Sequence, residues 1–500
     1  MIVKELSKFI VDLSYKDIPK TAVDKAKLCF LDFLGVANRG FHEKSTKIAI
    51  ESINQLYGID FDSNFGKSSI IGDDYSNIVN AGFINGISAH ALDLDDGHRI
   101  AQLHPGCVVF PTALAIAEAN NINGKKFIES IVCGYEVAIV LGSLANPYHR
   151  NQGFHTTGTI GTFAAGATAS KLLNLNLEEI INTLGLCGTQ SSGLLESDHH
   201  GTMGKQFHVG KAVYNGILAT YLAKNSFTGA ESIIDGDEGF LKAMAINIFD
   251  SNNKEFDFDK YLSSYLNDYI GKFHINDVYF KKYPFCRHLH SSIDGVLNIN
   301  NKFDFNIVDI EKIIVKTYNI AAEHDNFSPK TREDIKQSLP YAIATAMINN
   351  DLDLDIIEKD VYNNLDILNN LNDSNSNSID NFNNSNNNTN DNSNSNSNDN
   401  DVSYFKQIFN KITIEENEEF NKSVPKYRPS KVIIETKNEI YEDFVELPLG
   451  ESENPLSKED LLEKFKNLNC GFGIKKLNSI EMGIDNIEDN DMSAFMKIFH

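Results

Sequence analysis

Residues 157–173 read TGTIGTFAAGATASKLL, and this stretch decides the fold. Gly, Ala, Ser and Thr dominate it. Small side chains let helix backbones approach closely, so it reads as a buried helix in a helix-packed core. Residues 208–224, HVGKAVYNGILATYLAK, have the same character. Working outward, Phe127, Ile128, Ile131, Val132, Tyr135 and Ile139 fall on one helical stripe. Residues 1–58 carry apolar and charged residues at helical spacing, as in AVDKAKLCFLDFLGVANRG. From about 80 to 250 the pattern is helix after helix with short glycine-marked turns.

The character changes after about residue 276. VYFKKYPFCRHLHSSIDGV opens with aromatic and β-branched residues and then turns helical. IEKIIVKTYNI and PSKVIIETKNEIYEDFVEL alternate as strands do. This is an α+β region. Within it, residues 372–401 are an Asn/Ser/Asp tract with almost no apolar side chains, expected to be a disordered insertion without a catalytic role. NPLSKEDLLEKF returns to helix, with Ser457 and Asp460 as an N-terminal cap pair.

The chain has 500 residues, 41% of them apolar and 10% aromatic, enough for two or three cores. No uninterrupted apolar run approaches the roughly 18 residues of a membrane helix, so a soluble chain is expected. A net charge of −24 disfavours nucleic acid and anionic membranes as partners. The six scattered cysteines form no CxxC pair and read as reduced thiols. The opening residues carry no secretory h-region and no arginine, so the cytoplasm is the expected location, with mitochondria left open.

Four clusters could carry chemistry. The first is His90-Ala-Leu-Asp93-Leu-Asp95-Asp96-Gly97-His98, followed by His104-Pro105-Gly106. A helix continued through Asp96 would put Asp93 and Asp96 on one face. Histidines beside acids tune one another's protonation, although a lone DxDD run is more often a solvated helix end. His104 is placed to begin a helix, where free N–H groups favour an anion. The second cluster, Gly153-Phe154-His155-Thr156-Thr157-Gly158, brings a histidine and hydroxyls to the small-residue helix. It lacks a phosphate-loop lysine.

The third cluster contains Lys205, just ahead of a buried-looking helix, and His208. A buried lysine shifts its pKa or pairs with an anion, whereas most lysines are simply solvated. His199 and His200 upstream, with His98, would suit a metal hydrolase, but no matching carboxylate spacing accompanies them. The fourth, Lys281-Lys282-Tyr283-Pro284-Phe285-Cys286-Arg287-His288-Leu289-His290, is the most positive short stretch in an acidic chain. It suits a pocket for several carboxylates, where the local field outweighs the net charge.

Taken in order, AHALDLDDGH…HPG, GFHTTGTIGTFAAGATASKLLNL, MGKQFHVGKAVYNGILA, KKYPFCRHLHSSIDG, SLPYAIA and NPLSKEDLLEKF resemble the MmgE/PrpD family. The resemblance covers nearly all of the chain except the Asn-rich tract. It implies a mainly α homodimer, with a large all-helical domain at about 1–278 and 446–500 and an inserted smaller α+β lid domain at about 279–445. It implies a lyase without cofactor or metal, acting on a small di- or tricarboxylate. The activities it suggests are cis-aconitate decarboxylase, 2-methylcitrate dehydratase and iminodisuccinate epimerase, with a non-catalytic relative as the alternative of another class.

Carried over by position, the family's site residues fall on Asp93, His104, His155 and Lys205, and in the lid on Lys281. His208 joins Lys281 as an expected substrate contact. The decarboxylases' lid tyrosine has no secure match, Tyr341 in SLPYAIA being its candidate. The resemblance also departs at two places: Gly97 stands where the decarboxylases have threonine, and Cys286 where they have histidine nearby.

Overall fold

The computed structural model describes residues 1–57, 67–245, 258–358 and 404–499; the Asn-rich tract lies outside the described residues. The chain is mainly α and divides into two compact units. One is Met1–Lys281 with Gly450–His500, the other Lys282–Leu449.

The first unit is a stack of helices around Thr156–Leu172, whose residues are all buried. Gly106–Ala119, Gly124–Ala145, Leu177–Gln190 and Gly204–Lys224 pack against it. The small residues do what the sequence suggested. A β-carbon on Gly216 would lie 2.3 Å from Cβ of Ala165, and one on Gly158 would lie 2.8 Å from Cβ of His208. Helices this close tolerate nothing larger. Gly124–Ala145 is long and apolar enough, by length and composition, to cross a membrane, which a search for uninterrupted apolar runs misses. Here 94% of its most apolar window is buried inside the unit.

Both ends of the chain build this unit. Phe495, from the helix Met492–Phe499, sets its ring at a tilt 5.4 Å from Phe30, which also meets Phe110 and Phe127. Lys458–Leu468 packs on Lys20–Gly40 and is opened by the expected capping box, Ser457 and Asp460. Two short antiparallel strands, β1 (Lys67–Ser69) and β2 (Tyr75–Asn77), complete it.

The second unit holds a four-stranded sheet of β3 (Ile310–Thr317), β4 (Ile412–Glu416), β5 (Ser430–Thr436) and β6 (Ile440–Val445), in the order β4-β3-β5-β6. β3 runs parallel to β4 and antiparallel to β5; β5 and β6 are also antiparallel. On β5, Ser430, Val432 and Ile434 alternate inward, as period two requires. Helices His290–Lys302 and Leu339–Asn349 pack on the sheet, and Gly295 lets the first come within 2.8 Å of Val432 Cγ2, measured from its missing β-carbon.

Candidate active site

The site grows from the end of the helix Ile78–His90. The helix does not run on through Asp96. It stops at His90, and Asp93 adopts a left-handed backbone with φ of 52°, a conformation aspartate tolerates better than most residues. The turn therefore presents Asp93, Asp95 and Asp96 in different directions instead of along one face.

Asp93 is buried between two ammonium groups. Lys281 Nζ lies 2.6 Å from Oδ1 and donates a second bond of 2.8 Å to the Asp93 carbonyl. Lys205 Nζ lies 3.1 Å from Oδ2. Burial alone would push the carboxyl's pKa up, but Lys205 and Lys281 override it and hold Asp93 well below the usual carboxylate range. Lys281 is 1% exposed and Lys205 15%, so Lys205 is the member that solvent can reach.

Asp95 serves two imidazoles. His90 Nδ1 approaches its Oδ2 at 2.8 Å, and His104 Nδ1 lies 3.5 Å from the same oxygen. His104 Nδ1 also meets the Asp96 carbonyl at 2.7 Å. A carbonyl only accepts, so Nδ1 carries the proton and Nε2 keeps its lone pair. His155 immediately precedes the small-residue helix Thr156–Leu172 and places its Nδ1 3.1 Å from His208 Nδ1. Thr157, in that helix's first turn, accepts the His104 backbone N–H at 3.1 Å. The rings of His90 and His155 stack 5.9 Å apart, and those of His90 and His104 are 4.9 Å apart.

Burial sets the charge of these groups. It lowers His104 to about 3 and His208 to about 4, and takes His155 well below its ordinary value. At neutral pH all three imidazoles are uncharged and able to accept a proton. Behind them the Tyr135 hydroxyl donates to Asp96 Oδ2 at 2.5 Å and the Gly106 N–H to Oδ1 at 2.9 Å. Burial, helped by Asp32 and Asp95, raises Asp96 to about 7 despite those bonds.

The structure thus brings Asp93, His104, His155, Lys205, His208 and Lys281 together within the helical unit. Lys205 belongs to the first turn of Gly204–Lys224 instead of preceding that helix. Lys281, expected within a lid starting at about residue 279, is the last residue of the first stretch of the helical unit, and its ammonium is buried on Asp93. Tyr341 lies in the other unit, fully buried in its core and packed on Phe405.

Three partners were hidden in the sequence. Tyr135 falls on the apolar stripe, and Asp32 and Lys464 stand outside every cluster singled out in the sequence. Asp32 and Lys464 pair at 2.6 Å. In the second unit, Cys286 Sγ lies 3.5 Å from His324 Nε2, and His288 Nδ1 lies 2.6 Å from the Tyr318 hydroxyl.

Among the described residues, His90, Asp95 and Cys107 place possible metal-ligand atoms within 4.8 Å of one another. His90 Nδ1 and Asp95 already share a hydrogen bond of 2.8 Å. His98 accepts the Ala101 N–H at 3.0 Å, and His200 is exposed.

Comparison with known proteins shows the family. Residues 4–250 match the MmgE/PrpD N-terminal domain, and residues 283–372 and 392–483 match the MmgE/PrpD C-terminal domain. The interruption of the second match falls in the Asn-rich tract. The chain is 27% identical over 251 residues, 49% of it and 51% of the relative, to a cis-aconitate decarboxylase-like protein, oryM, of Aspergillus oryzae. It therefore spans about half the length of that relative. It is 23% identical over 365 residues to a cis-aconitate decarboxylase of Aspergillus terreus, covering 70% of this chain and 72% of that one. It is 25% identical over 244 residues to a probable 2-methylcitrate dehydratase of Saccharomyces cerevisiae, covering 46% and 45%. With both domain matches spanning most of its length, this chain belongs to the MmgE/PrpD family.

Proposed function

We propose that this chain is a lyase acting on a small tricarboxylate without a cofactor, nearest in chemistry to a decarboxylase that converts cis-aconitate to itaconate. The observation that carries this reading is the Lys205–Asp93–Lys281 triad, buried at Asp93 and Lys281 and open to solvent at Lys205, beside three neutral imidazoles. The names of the relatives give it a substrate class.

Decarboxylation breaks a carbon–carbon bond, releases carbon dioxide and leaves the electron pair in an allylic carbanion next to a carboxylate. Lys205, the more exposed ammonium, takes a substrate carboxylate, while Lys281 reinforces the positive field from behind Asp93. A proton must then reach carbon. His104 is the preferred donor, since Asp95 stands ready to stabilise its imidazolium and an arriving trianion raises its pKa. His155, with His208 behind it, is the second acid/base group. The carbanion gains one proton, and the carboxylate's carbon leaves as carbon dioxide.

A second reading, dehydration of 2-methylcitrate, is favoured by the neutral state of His104, which suits a base removing a proton beside a carboxylate. Incubating the purified protein with cis-aconitate and, separately, with 2-methylcitrate, and following products by NMR, separates them. Itaconate from the first supports the decarboxylase. Product from the second alone moves the assignment to the dehydratase, and conversion of neither sinks both.

A further inference from the structure

Lys464 lies on the helix Lys458–Leu468. Its ammonium donates to Asp32 Oδ1 at 2.6 Å, to the Leu94 carbonyl at 2.9 Å and to the Lys281 carbonyl at 2.8 Å. An ammonium has three hydrogens, so these bonds use its full donor capacity. Two of the acceptors belong to the segments that make the site. Leu94 stands between Asp93 and Asp95, and Lys281 is the residue whose own ammonium grips Asp93.

The helix that carries Lys464 is itself docked in register. Gly35 admits the Phe465 ring, at 3.0 Å from the position of its missing β-carbon. Asn38 donates to Asn469 Oδ1 at 2.7 Å, and Asn469 donates back to the Phe465 carbonyl. Asp32, 2% exposed, neutralises the lysine from the same helix that bears Gly35 and Asn38.

We propose that Lys464 is a positioning residue for the reaction, tying together the backbones on both sides of the Asp93–Lys281 ion pair so that the pair keeps one geometry through turnover. It touches no substrate; its three donors are spent on the scaffold. The kinetic half of this proposal rests on the lyase reading of the Asp93 site. The structural half does not.

The test uses the full chain and compares Asp32→Asn, Lys464→Arg and the double variant Asp32→Asn with Lys464→Met. The double variant removes the tether without leaving a buried unpaired charge. Backbone hydrogen exchange is followed at residues 92–97 and 279–282, alongside kcat and KM on whichever of cis-aconitate or 2-methylcitrate the wild type converts.

The double variant is expected to exchange at least about tenfold faster at those two segments and not across the unit. Its kcat should fall by about a hundredfold with KM little changed, the scale of a sub-ångström to 1 Å misplacement. Asp32→Asn keeps both backbone bonds, so although it should unfold at lower denaturant its kcat and KM should stay within about threefold of wild type while it is folded, and Lys464→Arg should recover part of the loss. Wild-type exchange in the double variant, exchange that rises uniformly, or equal damage from Asp32→Asn overturns the proposal. If the wild type converts neither substrate, the lyase reading fails by itself. Localised exchange then still supports the tether, and its absence still overturns it.

Discussion

The Tyr279 hydroxyl stands over Gly97, 2.3 Å from where a β-carbon on that glycine would lie. The two residues also exchange backbone hydrogen bonds of 3.1 and 2.8 Å, and the tyrosine ring meets His104 edge-on. Position 97 is therefore closed to any side chain while Tyr279, 3% exposed, remains in place. Gly97→Ala should lower kcat/KM by about tenfold by displacing the ring and with it His104. Tyr279→Ala on that background should cost less than it does alone. A double-mutant cycle measures the coupling, and additive losses would show that the two positions act separately.

Asp93→Asn leaves the buried Lys281 ammonium and the partly buried Lys205 ammonium facing a neutral amide. Breaking a buried charge network in this way costs about 3–5 kcal/mol, so the variant should unfold at clearly lower denaturant than wild type at pH 7. Because the folded-state pKa of Asp93 is depressed, its contribution is present above the unfolded value near 4 and is lost as pH falls below it. Denaturation curves of wild type and variant should therefore converge in acid. A gap that persists undiminished at pH 3 would contradict this.

Asp96 predicts the opposite slope. Its folded-state pKa is raised to about 7, so its favourable contribution is complete below the unfolded value near 4 and disappears as pH rises through about 7. Asp96→Asn can keep hydrogen bonds to Tyr135 and Gly106 without taking a charge. The wild type should lose stability relative to this variant between pH 4 and 7. Parallel stability curves across that range would show that Asp96 does not titrate there.

His104→Ala and Lys205→Ala should each reduce turnover by at least about a hundredfold with the fold intact. Circular dichroism and a melting curve, taken beside the kinetics, separate lost chemistry from lost structure. Full activity in either variant removes that residue from the mechanism.

The Asn-rich tract interrupts the family match between residues 372 and 392. Deleting residues 374–390 should leave kcat and KM within about twofold of wild type, as expected of a segment with almost no apolar side chains. A large loss on the same substrate would give the tract a role that its composition does not suggest.

Much of the helical unit was legible because its signals are local. The small-residue stretch 157–173 and the cap at Ser457 each specify their own structure within one or two turns. The strands after residue 310 announced themselves by alternation. The site was legible only in part, because its decisive contacts are long-range. Lys281 reaches Asp93 across 188 positions and Lys464 reaches Leu94 across 370. No spacing rule spans such distances, so nothing local marks Lys464 until the fold brings its partners to it. Tyr135 was hidden for a different reason. A ring buried like its apolar neighbours carries a hydroxyl that periodicity does not register. The end of the helix at His90 escaped too, since only the left-handed backbone at Asp93 reveals it.

The Phe280 N–H bonds to the Gly450 carbonyl at 3.0 Å. The chain leaves the helical unit and returns to it at neighbouring points, so the α+β unit is a branch of the chain inserted between two adjoining positions of the first. A branch of this kind can be shortened, lengthened or exchanged between relatives without rethreading the trunk. The charged triad at Asp93 and the lysine that steadies it both belong to the trunk, so their geometry can persist while the branch varies.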